Sequence, residues 1–147
     1  MALSRQGLKA FRCEKSSENK VSRGGYLVND MSSRRDLTLI ATGSEVELAI
    51  EASNLLQKDG INVAVVSLPS WELFDMQNDD YKMGVLGNSP RIAIEAACEM
   101  GWSKYIGEDG IFIGMSSFGA SGPAPDLYKH FGITSEAIVE QAKSFFK

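Results

Sequence analysis

The amino-acid sequence predicts an α/β fold, a three-layer α/β/α sandwich around a mixed, mostly parallel sheet of about five strands. Short β-branched runs alternate with amphipathic helical segments, which is typical of β-α-β units. Only a short polar turn separates the first strand-like run from the second, so we expect the first strand to be antiparallel. The 147 residues, 44% hydrophobic and 23% charged, are sufficient for one such domain.

The N-terminal part of the chain differs from the rest. Residues 12–25 (RCEKSSENKVSRGG) are polar, charged and end in glycine, which is typical of a linker. We therefore expect a lead-in at residues 1–23 and a folded domain at residues 24–147. The runs GYLVN and DLTLIAT, which end at Asn29 and Thr42, predict two strands that pair as a hairpin across the turn DMSSRR.

The central elements follow from capping residues and periodicity. Ser44 and Glu47 stand at capping-box spacing and predict a helix that ends at Asp59-Gly60. The run Ile61–Leu68 predicts a strand buried on both faces. Two short helices are expected next, one capped by Ser70 and one at Tyr81–Leu86.

The C-terminal third predicts two more strands, Arg91–Ala97 and Gly110–Met115. The small-residue loop Ser116–Pro125 follows and should leave the same edge of the sheet as the Gly43-Ser44 turn. One or two helical turns at Asp126–Phe131 precede a final helix capped by Thr134. The strand residues expected to be buried are Ile40, Val63, Val65, Ile92, Ile94 and Ile113.

Composition excludes several classes of function. The net charge of −4 and pI near 5.0 disfavour a nucleic-acid-binding face. No apolar run is long enough to cross a membrane, and the first residues do not resemble a signal peptide, so we expect a cytoplasmic protein. Cys13, Cys98 and the single histidine, His130, do not predict a metal site.

Several residues have both a structural and a functional interpretation, and the structural one is preferred for each. The Gly43-Ser44-Glu45 turn is interpreted as a self-capped helix start rather than an anion site, because Glu45 and Glu47 are negative. Glu95, at a strand end, is interpreted as a helix cap rather than a functional carboxylate. The same preference covers the remaining candidates, which are Gly114, Gly119 and Gly122 (close packing and tight turns), His130 (half-exposed helix end), and Trp71 and Trp102 (core or interface anchors).

Seven motifs in one order carry a resemblance to a known family. They are ALSRQ (Ala2–Gln6), GGY (Gly24–Tyr26), IATGSEVELA (Ile40–Ala49), VVSLPS (Val65–Ser70), FDMQ (Phe74–Gln77), GWSKYIG (Gly101–Gly107) and FGASGPAPDLYKHFGIT (Phe118–Thr134). Together they resemble the C-terminal domain of transketolase. The resemblance implies an enzyme of three α/β domains that binds thiamine diphosphate and Mg²⁺ or another divalent metal, and that works as a homodimer in the pentose phosphate pathway.

The resemblance also implies what this chain lacks. It covers the third domain and a short lead-in, so we expect a piece of a longer enzyme that is inactive alone. It implies no catalytic, cofactor-binding or metal-binding residue here. One site residue carries over, Arg5 of the LSRQ motif, which contacts the phosphate of the sugar substrate in the family.

Three alternatives remain open at this point. The chain is the C-terminal domain of a transketolase, the same domain of a related thiamine-diphosphate enzyme, or a free-standing α/β interaction module that uses the Ser116–Pro125 loop. Within a transketolase, the domain's own role is structural, dimer-supporting or regulatory. The expected partners are the other two domains, a second copy of the chain and sugar phosphates, without nucleic acid or membrane.

Overall fold

A computed structural model describes residues 6–11, 17–29 and 34–146. A 3₁₀ turn (Lys20–Arg23) precedes the first strand. The strands are β1 (Tyr26–Leu27), β2 (Leu37–Ala41), β3 (Val63–Ser67), β4 (Arg91–Ile94) and β5 (Ile111–Ile113). The helices are α1 (Glu45–Lys58), α2 (Trp71–Asp75), α3 (Asp79–Leu86), α4 (Ser103–Ile106), α5 (Ala124–His130) and α6 (Ser135–Ser144).

The sheet has five strands in the order β1-β3-β2-β4-β5, with β1 antiparallel and the others parallel. The predicted fold class is confirmed, but the predicted hairpin is wrong, because β1 pairs with β3 and not with β2. All five residues of β2 are buried, and β2 has parallel neighbours on both sides, so no edge is left for β1. Asn29 extends the β1 pairing, since its side chain bonds the Val63 carbonyl at 2.9 Å and the Val65 amide at 2.7 Å.

Helices cover both faces of the sheet, and each face has its own apolar core. Alternate β2 residues point to opposite faces, as the period of a strand requires. Leu39 packs with α1 and α6, whereas Ile40 packs with α2, α3 and α4. The aromatic side chains, including Phe74, Trp102 and Tyr105, are concentrated in the second core.

Five of the six strand residues predicted to be buried are fully buried, which are Ile40, Val63, Val65, Ile92 and Ile94. Ile113 is only half-buried, which corrects the prediction. It lies on β5, an edge strand of three residues that has a neighbour on one side only. An edge position covers less of a side chain than a central one.

The caps of the helices are confirmed in part. Ser70 Oγ accepts a hydrogen bond from Leu73 N at 3.3 Å, and Thr134 Oγ1 accepts one from Ala137 N at 3.2 Å. The predicted capping box at Ser44 is wrong, because Ser44 has helical backbone angles and its side chain makes no cap bond. The short helix α4 lies between β4 and β5. None of the helices in the described ranges is long and apolar enough to cross a bilayer.

Candidate functional site

Polar side chains from two adjacent strands meet at the carboxyl edge of the sheet, where β2 and β4 end. β3 lies on one side of β2 and β4 on the other, so the order of strands reverses between β2 and β4. Such a reversal opens a crevice at the carboxyl edge of an α/β sheet, where ligands bind in many folds of this class. Thr42 follows β2 and Glu95 follows β4, and Thr42 Oγ1 donates a hydrogen bond to Glu95 Oε2 at 2.7 Å.

Glu95 is paired with a second carboxyl group. The pKa of Glu95 is raised to about 7, chiefly by burial and also by the neighbouring Glu45, while the hydrogen bonds from Thr42 oppose the shift. Glu45 is the first residue of α1 and its side chain is 3% exposed. The fold therefore favours the protonated form of Glu95.

Tyr128 of α5 also contacts the Glu45 carboxylate. Its hydroxyl donates a short hydrogen bond to Glu45 Oε1. Ser44 Oγ donates to the same carboxylate oxygen at 3.0 Å and lies 3.3 Å from the Tyr128 hydroxyl. Burial raises the pKa of Tyr128, and its bond to Glu45 adds to the shift, so the phenol keeps its proton and remains a donor.

The N-terminal lead-in contributes one more side chain to this set of hydrogen bonds. Gln6 Nε2 donates a hydrogen bond of 3.1 Å to the Tyr128 hydroxyl, across 122 residues of sequence. These side chains form one connected set, which we call the carboxyl-edge network and which consists of Gln6, Thr42, Ser44, Glu45, Glu95 and Tyr128.

Two open cavities flank the network. One of about 740 Å³ lies between α1, α5, the start of α6 and the lead-in, and its acidic wall contains Glu47, Glu51 and Glu136. The other, of about 360 Å³, is bounded by Trp71 and Trp102 and contains the carboxyl groups of Glu72 and Glu95. Both cavities therefore present carboxyl groups to whatever enters them.

This chemistry favours holding a proton over binding an anion. A neutral Glu95 donates a hydrogen bond at a pH where an ordinary carboxyl is ionised. The described part of the chain contains no group of three or more His, Cys, Asp or Glu side chains that could hold a metal ion.

The structure places the candidate residues from the sequence analysis in different environments. Arg5 and Cys13 lie outside the described residues. Glu95 caps no helix, so the preferred interpretation was wrong: the chain after β4 forms bends and turns, and Glu95 N continues the ladder to Ile113 O at 3.0 Å. Cys98 is exposed and unpaired by a disulfide. His130 is exposed at the end of α5, with its ring 4.8 Å from that of Phe131.

Of the remaining candidates, Trp71, Trp102 and Gly114 fit their structural interpretations. Trp102 is buried, and Trp71 packs edge-on against it with ring centroids 5.2 Å apart. A side chain at Gly114 would collide with the Ala97 carbonyl oxygen 2.6 Å away, so close packing explains that glycine. Gly119 has open space around it and Gly122 only ordinary contacts, so close approach does not explain these two.

The predicted placement of the loop is confirmed by the strand directions. β2 and β5 are both parallel to β4, so the Gly43-Ser44 turn and the Ser116–Pro125 loop leave the same edge of the sheet. The network itself was not predicted. The sequence indicates Glu45 only as a negative charge in the first turn of a helix, and no local pattern connects it with Tyr128, which is 83 residues away.

The comparisons with known proteins all identify the same family. Residues 24–134 match the family described as the transketolase-like TK C-terminal domain. The chain is 50% identical over 143 residues to a transketolase of Sinorhizobium medicae, which covers 97% of this chain and 21% of that protein. It is 53% identical over 150 residues to the chloroplastic transketolase-1 of Arabidopsis thaliana, covering 99% of this chain and 20% of the relative.

A solved transketolase structure is also similar to this chain. The transketolase of Pichia stipitis in complex with sedoheptulose 7-phosphate superposes with a TM-score of 0.79 at 41% identity, covering 88% of this chain and 19% of that one. The chain thus spans about a fifth of the length of the curated relatives that it matches.

Proposed function

We propose, on the premise that this chain belongs to the transketolase-like C-terminal domain family, that the enzyme carrying it transfers a two-carbon ketol unit from a ketose phosphate to an aldose phosphate. The observation that carries the proposal is the match of almost the whole chain, at about half identity, to proteins named transketolase. In such an enzyme, thiamine diphosphate with Mg²⁺ supplies the carbanion chemistry.

The residues described here do not fit that cofactor. A diphosphate is an anion, and the walls of both cavities carry carboxyl groups that would repel it, including Glu47, Glu51 and Glu72. The metal that accompanies the diphosphate also finds no cluster of ligands among them. We therefore propose that other domains of the enzyme bind the cofactor, and that this domain is inactive alone and has a structural, dimer-supporting or regulatory role.

The proposed partners are the other two domains of the same polypeptide, a second copy in a homodimer, and sugar phosphates. We propose a cytoplasmic enzyme, without nucleic acid or membrane as a partner.

We also propose a domain boundary between residues 23 and 24. Gly24 has a positive φ of 80° and packs against the backbone of Ser70 and Phe74, which supports a start of the compact domain there.

For Arg5 we propose contact with the phosphate of the sugar substrate in the full-length enzyme. A guanidinium group offers two parallel donors to a phosphate, whereas lysine offers a point charge. Arg5 directly precedes Gln6, whose side chain is fixed on Tyr128 at the carboxyl edge of the sheet.

The test is the Arg5→Ala variant of the full-length enzyme. We expect it to weaken phosphorylated substrates by about 1.5–3 kcal/mol, the usual contribution of a charged hydrogen bond. That corresponds to a loss of roughly 10- to 150-fold in kcat/KM. The measurement compares a phosphorylated acceptor with its dephospho analogue, which should be nearly unaffected.

A matched variant sharpens this test. Arg5→Lys keeps the charge but not the paired donors, so its loss should fall between that of wild type and that of Arg5→Ala. Equal losses of Arg5→Ala on both substrates would show that Arg5 supports the local structure and does not bind the phosphate.

A further inference from the structure

We propose that the preceding domain of the same polypeptide docks on the carboxyl edge of this domain, with Phe118 as the anchoring side chain. The docking surface consists of two segments, residues 96–101 after β4 and residues 116–123 after β5. This inference rests on the proposed function in one respect only, which is that the chain is one domain of a longer enzyme.

The two segments of the docking surface lie side by side. They leave the same edge of the sheet, because β4 and β5 are parallel neighbours. Met115 N donates a hydrogen bond to the Ala97 carbonyl oxygen at 2.8 Å, which joins the segments at their base. Ala96, Gly119 and Ala120 line one shared cavity of about 140 Å³. A partner that covers one segment therefore also meets the other.

The docking surface carries the two most exposed large apolar side chains of the described residues. Phe118 is 99% exposed and Met100 is 82% exposed. Single apolar residues on a surface are ordinary, but two on one contiguous surface indicate an interaction site. A phenylalanine without cover also gains the most from a partner, because its whole ring is still in water.

The docking surface is almost without charge. Residues 116–123 (SSFGASGP) are all exposed and contain no Asp, Glu, Lys or Arg, in a chain of which 23% is charged. Residues 96–101 are exposed as well, and Glu99 is their only charged residue. Depletion of charge distinguishes the core of a protein–protein interface from ordinary surface. The composition therefore fits a surface that another protein surface covers.

The shared cavity indicates what kind of surface the partner presents. Its walls are largely apolar and include Met115, Leu127, Phe131 and Ile133. An apolar cavity of about 150 Å³ is large enough for a benzene ring, so this one has room for a single leucine or phenylalanine side chain. The docking surface thus offers one protruding ring and one apolar recess. The partner must be apolar and uncharged at both places.

The course of the lead-in favours the preceding domain as that partner. Gln6 is bonded to Tyr128 at 3.1 Å, and Gly7 and Leu8 line the same cavity as Pro125, just beyond the docking surface. The polypeptide before Gln6 therefore approaches the domain at this edge. The matched family is a C-terminal domain and the chain is about a fifth of its relatives, so most of the polypeptide precedes it. A tethered domain has a high effective concentration there, which a second copy lacks.

The first experiment is photo-cross-linking in the full-length enzyme, with p-benzoylphenylalanine in place of Phe118. We expect an adduct that keeps the mass of one polypeptide on a denaturing gel and that mass spectrometry assigns to the preceding domain. The same probe in place of Met83 is the matched control, since Met83 is 52% exposed on α3 and far from the docking surface in sequence. It should give no such adduct.

Three outcomes of the cross-linking would overturn the proposal. An adduct of twice the polypeptide mass would mean that a second copy occupies the docking surface. The absence of any adduct at position 118 would mean that solvent covers it. Equal yields at positions 118 and 83 would mean that the probe has no preferred partner.

The second experiment measures amide hydrogen exchange in the full-length enzyme. Phe118→Ser removes the anchoring ring, and we expect residues 116–123 to exchange at least about tenfold faster than in wild type. Residues 107–110, which precede β5 at the other edge of the sheet, should exchange as before. Met83→Ser should leave both segments unchanged. Unchanged exchange at residues 116–123 in Phe118→Ser would show that Phe118 is not the anchor.

Neither readout depends on catalysis. The adduct and the exchange rates therefore decide the docking surface whether or not the enzyme transfers ketol units. Conversely, an enzyme that shows the intrachain adduct but no ketol transfer would refute the proposed activity and leave the docking surface intact.

Discussion

At the scale of single residues, environment rather than residue type decides what a carboxyl group does. Glu47 and Glu95 are both glutamates near the carboxyl edge of the sheet. Glu47 forms an ion pair with Lys9 on the outer face of α1. Glu95 is mostly removed from water, and this burial together with the neighbouring Glu45 raises its pKa to about 7.

The raised pKa of Glu95 predicts how stability depends on pH. Its pKa of about 7 in the folded state lies above the ordinary value of 4.5, so the fold favours the protonated form. The stability from this group is fully present below the ordinary pKa and is lost as the pH rises to 7. The groups that face Glu95 are Thr42 and Glu45, and Glu45 opposes its ionisation.

We expect Glu95→Gln, which is always neutral, to remove much of this pH dependence and to raise the melting temperature above that of wild type at pH 8. The rise should be several degrees, since 1 kcal/mol shifts it by roughly 2–4 °C for a chain of this size. Thermal unfolding followed by circular dichroism between pH 4.5 and 8 measures it. Glu99→Gln, at an exposed site, is the control. Parallel curves for wild type and Glu95→Gln would contradict the prediction.

At the scale of elements, α1 and α6 both follow a residue with a hydroxyl group, but only α6 is capped by that hydroxyl. Thr134 has extended backbone angles and caps α6, whereas Ser44 is already helical and directs its hydroxyl to Glu45. An extended N-cap residue can turn its side chain back onto the first amides of the helix, and a helical one cannot. The backbone before the helix therefore decides whether a serine or threonine caps it.

We expect Thr134→Ala to lower the free energy of unfolding by about 1 kcal/mol, because the Ala137 amide loses its acceptor. Thr134→Ser keeps the hydroxyl and should retain most of the stability. Urea unfolding of the two variants and wild type measures the difference. The cap would contribute nothing if both variants unfolded at the wild-type urea concentration.

At the scale of the whole molecule, the two cores and the acidic carboxyl edge are separate features. The cores pack helices onto each face of the sheet, and the carboxyl groups collect where β2 and β4 end. The edge is therefore suited to hydrogen bonding within this chain and unsuited to a polyphosphate. This distribution has a direct consequence for cofactor binding.

We expect the 147-residue chain not to bind thiamine diphosphate with Mg²⁺ at micromolar concentration. Titration calorimetry measures this, with the full-length enzyme as the positive control. A saturable heat with a micromolar Kd, which corresponds to about −8 kcal/mol, would show that this domain has its own cofactor site.

The sequence by itself determined the order and type of most elements. The β-branched run at Val63–Ser67 and the periodicity of α1 are local signals, because the period of burial follows from the backbone geometry of each element. The right-handed crossover rule extended these signals to the direction of the parallel strands and to the shared edge of two loops. The motifs around them also carried the family resemblance.

The tertiary structure alone decided which distant residues meet. It placed β1 beside β3 instead of β2, and it turned Glu95 from an expected cap into the partner of Glu45. It also brought Gln6 to Tyr128 across 122 residues. Such pairs depend on how α1, α5 and the sheet pack together, and no local period records that packing. The elements were therefore predictable from the sequence, whereas the site that they build was not.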